Sequence, residues 1–257
     1  MQVSEEHALA ALWKDRVNQF GKRCVVNLSH APQHFDEVTA RQKAILLPAL
    51  AWFLPPRARR ALDYGCGPGR FSESLRDAMS GGADRLVVGY DICRELIELA
   101  PVLPGLMFTA SNRDLDNAAR TDKFDLIWLC LVMGGVSDAI GADIATRLQR
   151  SMADDGLLFF VEHIADQRSV GGFWRFRTLR DYRRLFPRLS LRVVDRYTDL
   201  GSPVSVILGV MKPRLGAGFA VWYNYLRFLL RLIAWKFHRE QAVGPRELAS
   251  RRAAASS

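Results

Sequence analysis

The 257-residue sequence predicts an α/β fold: a seven-stranded, mostly parallel sheet with helices on both faces. Three observations carry this. Seven apolar runs, at 61–64, 84–91, 105–111, 124–135, 157–164, 189–197 and 203–211, are mostly separated by segments of helical periodicity or by turns. The run from Phe124 to Cys130 is apolar at nearly every position, as a strand covered on both faces must be. Residues 58–79 read as strand, glycine turn, helix, with Asp63, Gly65, Gly67 and Gly69 at alternate positions.

Residues 1–56 precede the turn and read as a helical cap. Glu5 to Phe20 sets Ala8, Leu12, Trp13 and Val17 at helical spacing, and Gly21 is placed to end it. Cys24 to His34 is loop-like and carries His30 and His34, either substrate contacts or plain loop histidines. Asp36 to Phe53 reads as a second helix, kinked at Pro48 and closed by Pro55-Pro56.

Glycine lets the backbone turn tightly and a ligand lie against it, while the next helix points its amides and positive dipole end at that ligand. The dinucleotide pattern G-x-G-x-x-G needs glycine at position 70, where this chain has Arg70. Asp91 ends the second strand, 22 positions after Gly69, where a carboxylate can accept hydrogen bonds from both hydroxyls of a ribose. Asp91 also fits as the cap of a helix over 94–100. The third strand ends at Ser111. Ser137 to Met152 reads as a helix, Asp154 to Gly156 as a turn, and the fifth strand ends at Glu162 and His163.

The order Asp63-x-Gly65-x-Gly67-x-Gly69 resembles the first motif of the class I S-adenosylmethionine (SAM)-dependent methyltransferases. The Phe-Asp-Leu-Ile opening of the fourth strand and the glycine, strand and Glu162 of the fifth are also similar to that family. The resemblance runs from Ala58 to Lys212. It implies a Rossmann-like sheet with an antiparallel last strand, SAM as cofactor and S-adenosylhomocysteine as product. It also implies that Asp63, Gly65, Cys66, Gly67 and Gly69 wrap the methionine part, with Asp91 and neighbouring Ile92 at the ribose. In the family, a residue just past the third strand binds adenine. Here Ser111 holds the expected place and the acid stands at Asp114, so Ser111, Asn112 and Asp114 share that role. Cys130 would lie beside the cofactor. Many relatives carry His-His where this chain has Gly134-Gly135, which removes an acid–base group and leaves room for a bulky acceptor.

Glu162 and His163 are the best-placed titratable pair, since strand ends face the ligand crevice in open α/β sheets. His163 is either the base for a hydroxyl acceptor or a satisfied structural group. Trp174, Arg175 and Arg177 alternate aromatic and guanidinium groups, which suits a carboxylate or phosphate, or makes a solvated basic face.

Residues 57–212 thus form the predicted catalytic domain, and 213–257 a basic extension. Residues 1–164 carry 18 Lys/Arg and 21 Asp/Glu, whereas 165–257 carry 18 and 6. Gly218 to His238 is an aromatic amphipathic stretch interrupted by Arg227, Arg231 and Lys236, which disfavours a bilayer span. It fits a helix lying on an anionic membrane surface, or one docked on protein. Residues 240–257 read as disordered. The acidic N-terminus is no secretory signal, and Cys24, Cys66, Cys93 and Cys130 lack metal-ligand or disulfide-framework spacing, so a cytoplasmic protein without metal is expected, peripheral at the inner face of the membrane through 218–238. No Asn/Asp-Pro-Pro-Tyr motif or RNA-binding module is present, so nucleic acid is not the expected partner. The expected function is methyl transfer to an O or N acceptor, on a cell-surface glycan or lipid-linked sugar. The alternatives are a small metabolite, or a non-catalytic membrane-associated scaffold.

Overall fold

The computed structural model describes residues 2–80 and 82–242. Its main sheet has seven strands in the order β3-β2-β1-β4-β5-β9-β8. These are β1 Arg60–Tyr64, β2 Leu86–Tyr90, β3 Leu106–Thr109, β4 Phe124–Cys130, β5 Met152–Glu162, β8 Leu189–Asp199 and β9 Ser202–Met211. β9 runs antiparallel to both β5 and β8, and the other neighbours pair in parallel. The sequence-based expectation of a mostly parallel sheet with an antiparallel final strand holds. Asp154 to Gly156 is not a free turn: it lies within β5, where the pairing with β4 shifts register between Phe124 and Leu126.

Among the described residues, eight α-helices surround the sheet: α1 Gln2–Phe20, α2 Phe35–Phe53, α3 Ser72–Ala78, α4 Arg94–Ile97, α5 Asn112–Thr121, α6 Asp138–Ser151, α7 Leu179–Leu185 and α8 Phe219–Ala242. The strand period of two decides what each face buries. Leu126 and Trp128 of β4 pack with α2, α3 and α8, while Ile127 and Leu129 pack with α5, α6 and α7. Trp128 stacks on Phe159 of β5 at 4.6 Å and meets Phe71 at 5.1 Å. Side-chain caps fix where helices begin. Ser137 accepts from the Ile140 amide at α6, and Thr178 and Asp181 cap each other's amides at α7.

One feature departs from the sequence reading. A small hairpin, β6 Ser169–Gly171 with β7 Trp174–Phe176, occupies a stretch expected to be a loop. Its strands are three residues long, too short for alternation to register, and Gly172 at φ +61° makes the turn. The helix of the basic extension is docked on the domain, one of the two placements its sequence allowed. Phe228 and Trp235 of α8 are buried against Phe53 of α2, at 6.1 and 5.7 Å between ring centroids. Trp235 also donates from Nε1 to the Val194 carbonyl, 3.2 Å away. Residues 243–257, most of the stretch expected to be disordered, lie outside the described residues.

Because Trp235 fills the space between α8 and α2, Trp235→Ala should lower the unfolding free energy by about 3 kcal/mol. Urea unfolding checks this. A loss of well under 1 kcal/mol would mean that α8 is not part of the cooperative core.

Candidate active site

The carboxyl ends of β1, β2 and β4 meet at the glycine turn. Gly65, Gly67 and Gly69 sit at φ +71°, +53° and +74°, a region that L-residues with a β-carbon rarely adopt. Space imposes a second demand: a β-carbon on Gly65 would lie 2.3 Å from Val132 Cγ2, and one on Gly69 2.9 Å from Phe108. The turn is pinned from both sides. The Gly67 amide donates to Asp91 Oδ2 at 2.9 Å, and the Cys93 amide to Asp91 Oδ1 at 2.9 Å. Behind the turn, Ser72 Oγ donates to Asp63 Oδ2 at 2.6 Å. Arg70 reaches the Gln42 side chain and the Val25 carbonyl, tying the turn to α2 and to the loop after α1.

Burial governs the acids here. It pushes the Asp91 carboxyl up to about 6, against the pull of the two amides, and the Asp63 carboxyl up to about 7. Cys130 is pushed up to about 12 by the same cause, so its thiol stays protonated and is no nucleophile at neutral pH.

A cleft of about 920 Å3, counting the solvent at its mouth, opens in front of the turn. Of the residues expected to bind the cofactor, Gly65, Asp91, Ile92, Asn112 and Cys130 line it. Asp63, Cys66, Gly67 and Gly69 stand outside its lining and shape the turn. Ser111 and Asp114 are absent from the wall as well: Ser111 Oγ accepts from the Asp114 amide as the cap of α5, and the Asp114 carboxylate accepts from Thr109. Asn112 takes the place between them, its Oδ1 held by Tyr90 and Arg147. Glu6, Leu9 and Trp13 of α1 cover the outer side.

A second chamber, about 1120 Å3 with its mouth, adjoins the first. Trp13, Val25 and Leu131 belong to the walls of both. Leu131 lies just past β4 at φ +56°, a strained conformation for leucine, and its amide is held by the Val161 carbonyl at 2.9 Å. His163 and Trp174, both expected here, line the second chamber. His163 Nδ1–H donates to the Pro203 carbonyl at 2.9 Å. A carbonyl can only accept, so in the neutral ring Nε2 keeps its lone pair. Trp174 and Phe176 pack edge-on against the imidazole.

The remaining expected residues fall elsewhere. Glu162 is fully buried and lines neither cavity. Its Oε2 accepts from the Gly134 amide at 3.0 Å and its Oε1 from the His163 amide at 2.9 Å, and burial pushes its carboxyl up to about 7. It positions the chain on either side of the chamber and touches no open space. Arg177, expected to bind substrate, is 1% exposed and consumed by structure: it holds Asp138 and the carbonyls of Met133 and Val136. Arg175 and the exposed His34 line neither cavity. His30 pairs through Nε2 with Asp199, 3.0 Å away, and it is Asp199 that reaches the chamber wall. The room expected beside Gly134-Gly135 is filled by the Trp174 indole: a β-carbon on Gly134 would overlap it at 2.1 Å.

Sequence reasoning did not assign Arg16, Asn27, Gln42, Phe173 and Ser202 to this wall. They come from five separate segments, and only Arg16 gave a signal, as a cation one turn from Trp13. In the structure its guanidinium lies between the Trp13 and Phe173 rings, 5.3 Å from each centroid. Among the described residues, no group of three or more His, Cys, Asp or Glu is placed to hold a metal ion.

Known proteins carry the same architecture. The family model described as "Methyltransferase domain" matches residues 32–196. The chain belongs to the methyltransferase-domain family. It is 32% identical over 127 residues to the trans-aconitate 2-methyltransferase of Rhizobium etli, which covers 46% of this chain and 47% of that protein, so the match spans about half of the relative's length. Among solved structures it resembles Burkholderia thailandensis 1,6-didemethyltoxoflavin-N1-methyltransferase with bound S-adenosylhomocysteine (TM-score 0.58, 16% identity, 81% of this chain and 91% of that one). It also resembles the magnesium protoporphyrin IX methyltransferase of Synechocystis PCC 6803 with bound SAM (TM-score 0.56, 16% identity, 79% and 97%). At such identities the likeness is one of fold.

The cleft fits the family's cofactor, SAM. Its glycine wall leaves no room for a β-carbon at Gly65, Asp91 offers carboxylate oxygens to a diol, and Asn112 supplies a side-chain amide at the start of α5.

Three acids raised by burial, Asp63, Asp91 and Glu162, bind more protons folded than unfolded. Their contribution to stability is complete below the unfolded carboxylate range and is lost as pH rises through about 6 to 7. The urea midpoint should therefore fall between pH 5 and 8, and Glu162→Gln should make that slope shallower. A flat or rising midpoint would contradict this.

Proposed function

We propose that the chain transfers the methyl group of SAM to the oxygen or nitrogen of a small, flat acceptor held in the second chamber, with His163 taking the acceptor's proton. One observation carries the reading: His163 Nε2 keeps its lone pair in a chamber that shares the Trp13, Val25 and Leu131 walls with the cofactor cleft. Bound SAM supplies an electrophilic methyl group. The chain's own work is alignment and proton removal. Asp91 and the glycine turn hold the cofactor in one orientation. Trp13, Phe173, Trp174 and Phe176 give the chamber the aromatic surfaces on which a planar acceptor packs. As the acceptor's O–H or N–H attacks, its proton passes to Nε2, while the Pro203 carbonyl holds the ring in place through Nδ1–H.

A second reading is favoured by Arg16. Its guanidinium faces the chamber, and the Rhizobium relative is named for trans-aconitate, which carries carboxylates. A carboxylate acceptor is already ionised at neutral pH and needs no base, and Arg16 is suited to a neighbouring carboxylate. A glycan- or lipid-linked acceptor draws no support from the relatives or from these walls.

Calorimetry with SAM and a screen of small hydroxylated, amino and carboxylic acceptors, read by S-adenosylhomocysteine release, test the proposal. Asp91→Ala should weaken SAM binding tenfold or more, by about 1.4 kcal/mol or above. His163→Gln should leave SAM affinity unchanged and lower kcat about 100-fold or more for a hydroxyl or amine. An unchanged kcat on the preferred acceptor would exclude His163 as the base and favour the carboxylate reading. Folded protein that binds no SAM would overturn the proposal.

A further inference from the structure

The helix α8 has two faces, and the fold uses only one. Its inner face is anchored. Asn224, Phe228 and Trp235 are buried, Trp52 donates to the Arg231 carbonyl, Arg231 donates to the Leu54 carbonyl, and Arg239 pairs with Asp195 at 2.8 Å. The outer face carries Phe219, Trp222, Leu226, Leu230, Ile233 and Phe237, each between 52% and 82% exposed. They follow one another at intervals of three or four, so they form one stripe about 27 Å long. Tyr223 widens it. Side chains of this size give an apolar patch of several hundred Å2, at or above what a monomer ordinarily leaves in water. The inner anchoring keeps the stripe from folding away.

We propose that this stripe seats the protein on a lipid surface bearing anionic headgroups. Charge selects that occupant. From Leu200 to Arg239 the chain has no Asp or Glu, but it has Lys212, Arg214, Arg227, Arg231, Lys236 and Arg239. Arg214, just before the stripe, and Lys236, near its end, are exposed. The helix itself carries Arg227, Arg231, Lys236 and Arg239 against one acid, Glu240, so a second copy laid stripe to stripe would bring two net-cationic helices together. An anionic bilayer supplies phosphates to the margins and an acyl boundary to the stripe, and Trp222 and Tyr223 suit the interface between the two. The helix lies along this surface and does not enter it: no helix among the described residues is long and apolar enough to cross a membrane. This inference does not depend on the identity of the acceptor.

The test is flotation of the full chain with phosphatidylcholine vesicles, made with and without phosphatidylglycerol. Binding should be about tenfold stronger or more on the anionic vesicles and should weaken as salt rises. Leu226→Glu combined with Leu230→Glu should reduce that binding about tenfold or more. The melting temperature and SAM affinity should stay as they were, because both side chains already face water. Folded chain that ignores both kinds of vesicle would overturn the proposal. So would a concentration-dependent dimer in sedimentation that the double substitution abolishes, since the stripe would then cover itself.

Discussion

The hydrogen bond from the Gly67 amide to the Asp91 carboxylate joins the first crossover of the sheet to the second. Parallel strands pair along their lengths, but nothing in that pairing fixes the loops beyond their ends. Asp91 does so. One carboxylate oxygen holds the glycine turn after β1 and the other holds the start of the segment leading into α4. Asp63 does the same one layer down, through Ser72 at the opening of α3. Both acids are buried, and burial raises both, so the protein keeps a costly pair of carboxyls to hold the turn, of which Asp91 also lines the cleft.

A second polar frame supports the neighbouring chamber. Glu162 grips the Gly134 amide from one side, and Arg177 grips the Met133 and Val136 carbonyls from the other. Between them they fix the turn after β4. That turn is stripped of side chains at Gly134, so the Trp174 indole can lie against its backbone. Trp174 in turn packs on His163. The imidazole thus owes its orientation to a chain of contacts that begins at two fully buried side chains, Glu162 and Arg177, neither of which reaches open space.

The glycine turn and the position of Asp91 were legible because each rests on a short-range rule, whereas the antiparallel last strand followed from the family resemblance. A crossover has a narrow range of lengths, so an acid 22 residues past the turn lands at the neighbouring strand's end. The residues of the second chamber obeyed no such rule. Arg175 and Arg177 read as equivalent in sequence, yet the strand β7 ends at Phe176. Arg177 turns inward past its end while Arg175 stays on the far side from Trp174. The order Ser111-Asn112-x-Asp114 contained the right segment but hid the cap, which takes Ser111 and Asp114 and leaves Asn112 to the cleft. Arg16, Gln42 and Ser202 come together only through tertiary packing, which no local pattern encodes.

The helix α1 roofs the first cleft with Glu6, Leu9 and Trp13, and Trp13 continues into the second chamber. Leu9, Trp13 and Val17 pack it inward, and its polar ties are at the surface: Lys14 to Glu95 at 2.8 Å, and Glu5 to Ser137 at 2.8 Å. Exposed pairs of this kind hold weakly and exchange readily with water. The two compartments therefore share one partition, built by Trp13 of α1 with Val25 and Leu131, so a substitution that reshapes it alters both rooms at once.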